Sequence, residues 1–146
     1  MLRAMNVRIT RLHEHVALPS FQTAGAAGFD LAASDDITIE AGRVALVPTG
    51  LVIEVPAGHF LGVFARSSTP LKRGLMVANG VGVVDSDYCG PTDEIKVQVL
   101  NFTGEAVTVR QGDRLAQGII LPFVRVTWVE GEATRESRGG FGSTGA

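Results

Sequence analysis

Short stretches in which apolar and polar residues alternate recur along the chain, and valine is the commonest apolar residue in them. Side chains of a β-strand point alternately to the two faces of a sheet, and β-branched residues favour that conformation, so this pattern predicts strands. The clearest case is the alternation of Ile95, Val97 and Val99 with the residues between them. Strands are predicted at 37–39, 43–47, 51–55, 61–64, 75–78, 81–84, 95–100, 107–109, 115–121 and 124–129.

Turn-forming residues separate these stretches at short intervals, as in Asn79-Gly80 and Thr103-Gly104. The chain contains 18 glycines, and no segment keeps the 3.6-residue apolar period of a helix. Many short strands joined by such turns indicate an all-β sandwich, jelly roll or barrel. No internal repeat or linker is visible, so a single domain is expected.

One short helix is predicted near residue 70. Ser68 or Thr69 is suited to its N-cap, and Pro70 to its first turn. Gly74 fits the position just after its last turn, where a left-handed residue commonly ends a helix. The helix would be only about a turn and a half long.

Composition and charge narrow the function classes. Of the 146 residues, 45% are hydrophobic and 19% charged, more apolar than a small domain's core requires. The surplus suggests a subunit interface, and the alternative is a valine-rich core without a partner. The net charge of −2 argues against a nucleic-acid partner. The single cysteine excludes an internal disulfide, and no membrane span or secretory signal is visible, so a cytoplasmic protein without a membrane partner is expected.

The segment Arg66-Ser67-Ser68 precedes the predicted helix. An arginine and two hydroxyl groups beside the free N–H groups of a helix start can bind an anion, and phosphate is the expected guest. The alternative is an ordinary cap with a surface arginine.

The segment Val84-Asp85-Ser86-Asp87-Tyr88 follows an apolar run. A carboxylate at the end of such a strand can act as a general base towards water, and a tyrosine offers a flat face to a sugar or base. Asp-Ser-Asp is equally suited to a plain turn.

The chain ends in a glycine-rich stretch, Gly139 to Gly145, that contains one phenylalanine. Phe141 has nothing nearby in sequence to bury it, which suits a flexible segment that closes over a flat ligand. A disordered terminus is the alternative. We expect a β-domain over 1–137 and a mobile lid segment of the same domain over 138–146.

Two further features are interpreted as structural. His13-Glu14-His15 lacks the helical spacing of a metal site and is expected in a solvated strand or a turn. Cys89 has no partner cysteine and is expected to act as a small packing residue.

Taken together, the motifs resemble the homotrimeric dUTPase family, in order and over nearly the whole chain. They are Ala27–Leu31, Arg66–Ser68, Gly82–Gly90, Gly112–Gln117 and Gly139–Gly145.

The resemblance implies a distorted β-barrel of jelly-roll type and a homotrimer whose active sites are shared between subunits, each closed by a neighbouring chain's tail. It implies Mg²⁺-assisted hydrolysis of dUTP to dUMP and pyrophosphate, which supplies dUMP for thymidylate synthesis and keeps uracil out of DNA. Asp85 matches the base that activates the attacking water, and Asp30 matches an acidic residue that meets the metal through water.

The implied substrate contacts divide by the part of the nucleotide that they touch. Asn79 matches the uracil-contacting asparagine, Tyr88 packs under the deoxyribose, and Phe141 stacks on uracil. The full set of implied contacts is Arg66, Ser67, Ser68, Asn79, Gly82, Tyr88, Gln117, Phe141, Gly142, Ser143 and Thr144.

The chain departs from the family pattern in three places. Ala65 stands where many members have proline, and Pro91-Thr92-Asp93 resembles an insertion. The arginine of the last motif is displaced: Glu136 holds its usual position, with Arg135 and Arg138 on either side, and Arg138 is preferred as the catalytic cation.

Two other functions fit parts of the pattern. A dCTP deaminase shares this fold family, and Glu94 would be its only nearby candidate acid, but Asp85–Tyr88 differs from the sequence usual there. A non-catalytic jelly-roll trimer that binds nucleotide is the other alternative.

Overall fold

The computed structural model describes residues 5–142, which form eleven short strands and one short helix. In chain order these are β1 (Arg8–Arg11), β2 (Phe29–Ala32), β3 (Ile37–Ile39), β4 (Val44–Pro48), β5 (Leu51–Glu54), β6 (His59–Ala65), α1 (Ser68–Arg73), β7 (Leu75–Val77), β8 (Gly82–Val84), β9 (Lys96–Asn101), β10 (Val107–Val109) and β11 (Arg114–Pro122). No helix within 5–142 is long and apolar enough to cross a lipid bilayer. The prediction of a mainly β protein with one short helix is confirmed.

Two antiparallel sheets make up most of the fold. The larger has the order β2-β11-β6-β8 and the smaller β4-β9-β7, while β1–β5 and β3–β10 form separate pairs. One apolar cluster draws almost fully buried side chains from both sheets, including Leu31, Leu61 and Leu115 from the larger and Val47 and Val97 from the smaller. Burying such a side chain contributes about 1.5–3 kcal/mol each. The sheets stay open and do not close into a barrel.

The strand predictions hold best where alternation is strict. In β9, Val97 and Val99 are buried while Lys96 is exposed, as the pattern predicts. In the pair β3–β10, Thr38 lies opposite Thr108, and their Oγ1 atoms are 3.0 Å apart. Such cross-strand pairs fix the register of the two short strands.

Strands β1 and β2 are absent from the predicted set. In β1, Ile9 is the only apolar residue of the four, and the strand is held by pairing with β5. In β2, Asp30 interrupts the apolar pattern because its side chain serves the site described below.

The strand predicted at 124–129 is wrong for this chain. β11 ends at Pro122, which has no N–H to continue a ladder, and residues 123–142, the C-terminal arm, contain no strand. Val124 and Trp128 are 87% and 89% exposed. The alternating residues of the arm therefore pair with no strand within the described part of the chain.

The helix forms where expected, but its start differs. Its N-cap is Ser67, without a side-chain capping bond, rather than Ser68 or Thr69. Thr69 is buried, and its Oγ1 donates a 2.8 Å hydrogen bond to the carbonyl of Leu115 on β11, so it anchors the helix instead of capping it. Gly74 ends the helix at φ 66°, as predicted, and its N–H donates to the Pro70 carbonyl.

Candidate active site

The C-terminal end of β6 brings one carboxylate and two guanidinium groups together. Asp30 Oδ1 lies 2.8 Å from Arg66 Nε, and Asp30 Oδ2 lies 3.1 Å from Arg114 Nη1. The Asp30 side chain is only 12% exposed, so these charge-assisted bonds are shielded from water and fix both arginines. Arg114 is the site residue that sequence reasoning missed, and its signal was its place in the motif Gly112–Gln117.

Gln117 joins the same cluster through strand pairing. It lies opposite Asp30 on β2 and Phe64 on β6, and its Nε2 donates a 3.0 Å bond to the Ala65 carbonyl. A Cβ at Gly28 would lie 2.8 Å from Gln117 Oε1, so the glycine leaves room for the amide. We name the group Asp30, Arg66, Arg114 and Gln117 the cationic cluster.

The start of α1 lies next to this cluster because Ser67 and Ser68 directly follow Arg66. Ser67 is exposed, and its hydroxyl makes no capping bond, while Ser68 is half-buried. Guanidinium, hydroxyl and backbone N–H groups at one strand end are the donors that an oxyanion accepts from. The structure thus brings together the predicted residues Asp30, Arg66, Ser67, Ser68 and Gln117.

A second predicted group lies on the turn that joins β7 to β8 and along β8 itself, which pairs with β6. Asn79 and Gly80 form the turn, with Gly80 at φ 71° and its N–H donating to the Val77 carbonyl. A Cβ at Gly82 would lie 3.0 Å from Val63 Cβ and 3.7 Å from Asn79 Nδ2. Glycine at this position therefore keeps the space beside the Asn79 amide open.

Asp85 directly follows β8 and is exposed. Among the described residues its carboxylate forms no ion pair. The N–H of Tyr88 donates to the Asp85 carbonyl at 3.2 Å, and the Tyr88 hydroxyl donates to the Glu94 carbonyl at 3.1 Å. The turn therefore holds a solvent-facing carboxylate next to a fixed aromatic ring. We name Asn79, Gly82, Asp85 and Tyr88 the hairpin cluster.

Structural bonds account for Glu94 and for the extra residues beside it. Glu94 Oε1 accepts a 2.8 Å bond from the N–H of Gly50, so its carboxylate ties two turns together. Pro91-Thr92-Asp93 forms a tight turn in which Asp93 Oδ2 accepts from the N–H of Gly90 at 2.8 Å.

Asp85 and Arg66 lie at opposite ends of β6, while Gly82 of the hairpin cluster pairs with Val63 in between. β8 runs antiparallel to β6, with Val84 opposite Leu61, so Asp85 falls beside Phe60, whereas Arg66 follows the other end. Six residues of strand separate these positions, or about 20 Å. Within one chain Asp85 and Arg66 are therefore not brought together, and the implied sharing of a site between subunits stays a prediction.

The predicted residues of the C-terminal arm are not packed against either cluster. Arg138, Phe141 and Gly142 are exposed and belong to no strand or helix. The same is true of Arg135 and Glu136. Phe141 has a positive φ of 48° and is fully exposed. Ser143 and Thr144 lie outside the described residues.

Within 5–142 no three His, Cys, Asp or Glu side chains lie close enough to hold a metal ion directly. Asp30 fits the role of contacting a metal ion through water. Each of its oxygens forms an ion pair with one arginine, and each still has a lone pair that can accept from a water molecule. Mg²⁺ keeps several waters and commonly binds through few carboxylates plus substrate phosphates. Asp30 could therefore meet the water shell of a divalent cation whose remaining ligands come from outside the described residues.

Two aspartates beside the cationic cluster have lowered pKa values. Partial burial opposes ionisation of Asp113, but hydrogen bonds from the Arg73 guanidinium and the Arg110 N–H outweigh it and lower its pKa. The N–H of Gln111 and then the Arg110 guanidinium lower the pKa of Asp36. Both carboxylates therefore stay charged at neutral pH, and their hydrogen bonds hold the loop before β11 in place.

The features interpreted as structural keep that interpretation. His13-Glu14-His15 lies in a turn, where the two imidazole rings stack at 5.5 Å and His15 Nε2 lies 2.9 Å from the Ser34 carbonyl oxygen. Cys89 is half-buried and free.

The fold and the site define the class: a jelly-roll β-protein with arginine, serine and glutamine donors at one end of a strand and a carboxylate with an aromatic ring at the other. The dUTPase family profile matches residues 14–145, so the chain belongs to the dUTPase family.

Individual relatives agree. The chain is 46% identical over 152 residues to the deoxyuridine 5'-triphosphate nucleotidohydrolase of Desulfitobacterium hafniense, covering 99% of each chain. It is 42% identical over 137 residues to that of Desulfotalea psychrophila, covering 90% of this chain and 89% of the relative. The crystal structure of dUTPase from Streptococcus mutans superposes with a TM-score of 0.78 at 37% identity, covering 85% of this chain and all of that one.

These comparisons confirm the resemblance, the jelly-roll fold class and the classification as an enzyme, a dUTP diphosphatase. They also account for the order of the five motifs along the chain.

Proposed function

We propose that this chain hydrolyses dUTP to dUMP and pyrophosphate, supplies dUMP for thymidylate synthesis and keeps uracil out of DNA. The observation that carries the proposal is the pair of clusters on the strands that flank β6, each matched to one half of the nucleotide. The cationic cluster offers guanidinium and amide donors for a triphosphate. The hairpin cluster offers an amide, an aromatic ring and a free carboxylate for base, sugar and water.

We propose further that a complete site forms between subunits of a homotrimer. The separation of about 20 Å along β6 is too long for one chain's Asp85 to serve a phosphate on its own Arg66. A hairpin cluster from one subunit facing a cationic cluster from another removes this difficulty. A ring of identical contacts also gives every subunit the same role.

The apolar surface of the chain supports such an assembly. Val126 and Trp128 on the arm are 60% and 89% exposed, and Val44, Leu46 and Met76 form an exposed apolar patch on the outer face of the smaller sheet. An apolar cavity of about 610 Å³ lies open between the β1 and β11 regions. Contiguous exposed apolar surface commonly marks a protein interface.

In the proposed reaction Asp85 accepts a proton from a water whose oxygen attacks the α-phosphorus. The bond from that phosphorus to the bridging oxygen breaks, and pyrophosphate leaves. Arg66, Ser67, Ser68 and Gln117 hold the phosphates in line, which lowers the barrier by positioning and charge stabilisation.

Asn79 and the hairpin backbone beside Gly82 bind uracil, and Tyr88 packs under the deoxyribose. Fixed polar groups of this kind discriminate well between similar bases. The lid segment 138–146 closes the site, with Phe141 stacked on uracil, Arg138 on the phosphates and Gly142, Ser143 and Thr144 around them. The lid segment 138–146 is thus proposed to act with the β-domain 1–137, in the cytoplasm.

Mg²⁺ would be held by the substrate phosphates, with Asp30 contacting its water shell, and would offset charge on the leaving pyrophosphate. Asp30 also holds Arg66 and Arg114 in place, so it orders the cations whether or not the ion is bound.

A deaminase acting on dCTP is less well supported, because the Glu94 carboxylate accepts a hydrogen bond from the N–H of Gly50. A trimer that binds nucleotide without cleaving it would use the same contacts, and it differs from the enzyme in that Asp85 activates no water.

The test is release of pyrophosphate from dUTP with Mg²⁺, alongside release of ammonia from dCTP. The wild-type chain should yield dUMP and pyrophosphate and no ammonia. Asp85→Asn should lower kcat by roughly a thousandfold, because it removes the base, while nucleotide binding persists. Asp87→Asn, two residues away in the same turn, is the matched control and should stay within a few-fold of wild type. Undiminished turnover in Asp85→Asn would refute the mechanism.

A further inference from the structure

We propose that the Arg73–Asp113 ion pair is a positioning device that fixes Arg66 and Ser67 for the phosphate end of the site. The inference rests on the proposed function, because it assigns these residues to the part of the cluster that binds phosphate. Neither Arg73 nor Asp113 is among the implied substrate contacts.

Helix α1 has six residues, which is too few for a helix to be stable by itself. Its position must therefore come from contacts with the rest of the chain. Two of these contacts reach the start of β11. Thr69 Oγ1 donates to the Leu115 carbonyl at 2.8 Å, and Arg73 Nη1 lies 2.7 Å from Asp113 Oδ2.

The spacing of these anchors fits a helix lying along a strand. Thr69 and Arg73 are four residues apart, on one face of the helix and about 6 Å apart along its axis. Leu115 and Asp113 are two residues apart, about 7 Å along an extended chain. One anchor alone would hold the helix against the start of β11 at a single point, whereas two fix its direction relative to that strand.

The acidic anchor is itself held in place. Asp113 Oδ2 also accepts a 2.8 Å bond from the N–H of Arg110, and the Asp113 carbonyl accepts from the N–H of Ala33 at 2.9 Å. Partial burial opposes ionisation of Asp113, but the hydrogen bonds from Arg73 and from the Arg110 N–H lower its pKa, so the anchor is charged throughout the neutral range. The side chains of Arg73 and Asp113 are 32% and 25% exposed, which shields the pair from much of the solvent.

The anchored helix carries the phosphate donors at its other end. Arg66 and Ser67 directly precede α1, and Arg66 Nη1 donates to the Arg114 carbonyl, one residue from Asp113. A pivot of the helix would therefore move Arg66 relative to Gln117. Asp85 lies about 20 Å away along β6, the Tyr88 hydroxyl is held by the Glu94 carbonyl, and Gly82 is held by its pairing with Val63, so none of these bonds involves the anchor.

The experiment measures binding of the two halves of the substrate separately, on the full chain with Mg²⁺ present. Calorimetric titrations use pyrophosphate for one half and deoxyuridine for the other. Arg73→Met should weaken pyrophosphate binding roughly tenfold, since small misplacements of donors are costly, and leave deoxyuridine binding within about twofold. KM for dUTP should rise more than kcat falls.

Two further variants make the result specific. Arg73→Lys keeps a charge within reach of Asp113 and should restore pyrophosphate binding to within about threefold of wild type. Arg8→Met removes an arginine from the exposed Arg8–Glu54 pair, whose Nε–Oε2 distance is 3.8 Å, and should change neither titration. Thermal unfolding confirms that all chains are folded at the titration temperature. Should Arg73→Met fail to fold, the isosteric Asp113→Asn takes its place, with the same expected loss.

Unchanged pyrophosphate binding in Arg73→Met would overturn the proposal, as would an equal loss for pyrophosphate and deoxyuridine, which marks a general structural effect. A wild-type chain that binds no pyrophosphate would also overturn it. A wild-type chain that binds pyrophosphate but does not hydrolyse dUTP would overturn the proposed function alone.

Discussion

The two ends of β6 differ in how their side chains are held. At the C-terminal end, Asp30, Arg66, Arg114 and Gln117 are bonded to each other or to the neighbouring backbone. At the N-terminal end, the Asp85 carboxylate faces solvent and forms no ion pair within the described residues. One end is therefore ordered before any ligand arrives, and the other keeps its reactive group free.

This difference matches the chemistry assigned to each end. Cations that hold a triphosphate gain from being fixed in advance, because ordering them during binding would cost affinity. A general base must instead have an unoccupied oxygen to accept a proton. Neither end is a site by itself, so the comparison predicts that assembly, rather than folding, completes the enzyme.

The largest expected effect comes from preventing the two ends from meeting. Trp128→Ser together with Val126→Ser should shift the protein towards monomer and lower activity at least tenfold, because a stable interface rests on a few buried aromatic and aliphatic side chains. Light scattering during gel filtration measures the assembly. Val129→Ser, 90% exposed and on the opposite side of the alternation, is the matched control and should have the smaller effect. A fully active monomer would contradict the account.

A smaller effect is expected from loosening the ordered end alone. Asp30→Asn removes the charge that holds Arg66 and Arg114, and should cost about 2 kcal/mol of unfolding free energy and roughly tenfold in kcat/KM. Urea unfolding and steady-state kinetics measure the two effects. Asp35→Asn, exposed on the loop after β2, is the control. If kcat/KM in Asp30→Asn equals that of wild type, the ordered end does not need its carboxylate.

The smallest expected effect is on the unfolding free energy at acid pH. The folded pKa of Asp113 lies below its ordinary value, so its contribution to stability is complete above about pH 4 and is lost as the pH falls through the lower value. Unfolding free energy measured from pH 7 to pH 3 should therefore fall at the acid end. Asp113→Asn should make that fall smaller by roughly half a kcal/mol. An identical pH dependence in both chains would show that the pair contributes nothing.

Much of the fold could be predicted because local pattern and burial agree. Val97 and Val99 alternate with exposed or half-buried residues and face the core, and Gly74 ends the helix where a positive φ is needed. The N-cap could not be fixed, because Ser67, Ser68 and Thr69 all suit a cap. The choice of cap depends on a residue distant in sequence, because the Leu115 carbonyl accepts a hydrogen bond from the Thr69 hydroxyl.

The sequence pointed to Asp30, Arg66 and Gln117 of the cationic cluster, but not to Arg114 and not to the arrangement of the two clusters. Asp85 and Arg66 each follow a recognisable motif, yet sequence spacing does not tell which ends of β6 they occupy, since that depends on the antiparallel pairing of β8. The arm was misassigned for a related reason: the alternation of Val124, Val126 and Trp128 suits a strand, but the described chain offers it no strand to pair with.

The most direct test of the shared site is complementation between two inactive chains. Asp85→Asn keeps the cationic cluster and Arg66→Met keeps the hairpin cluster, so each alone should be nearly inactive. When the two are unfolded together, mixed in equal amounts and refolded, about a quarter of the sites should combine an intact cluster from each, which restores about a quarter of wild-type activity. Each variant refolded by itself is the control. Mixed chains that remain as inactive as the separate ones would contradict a site built from two subunits.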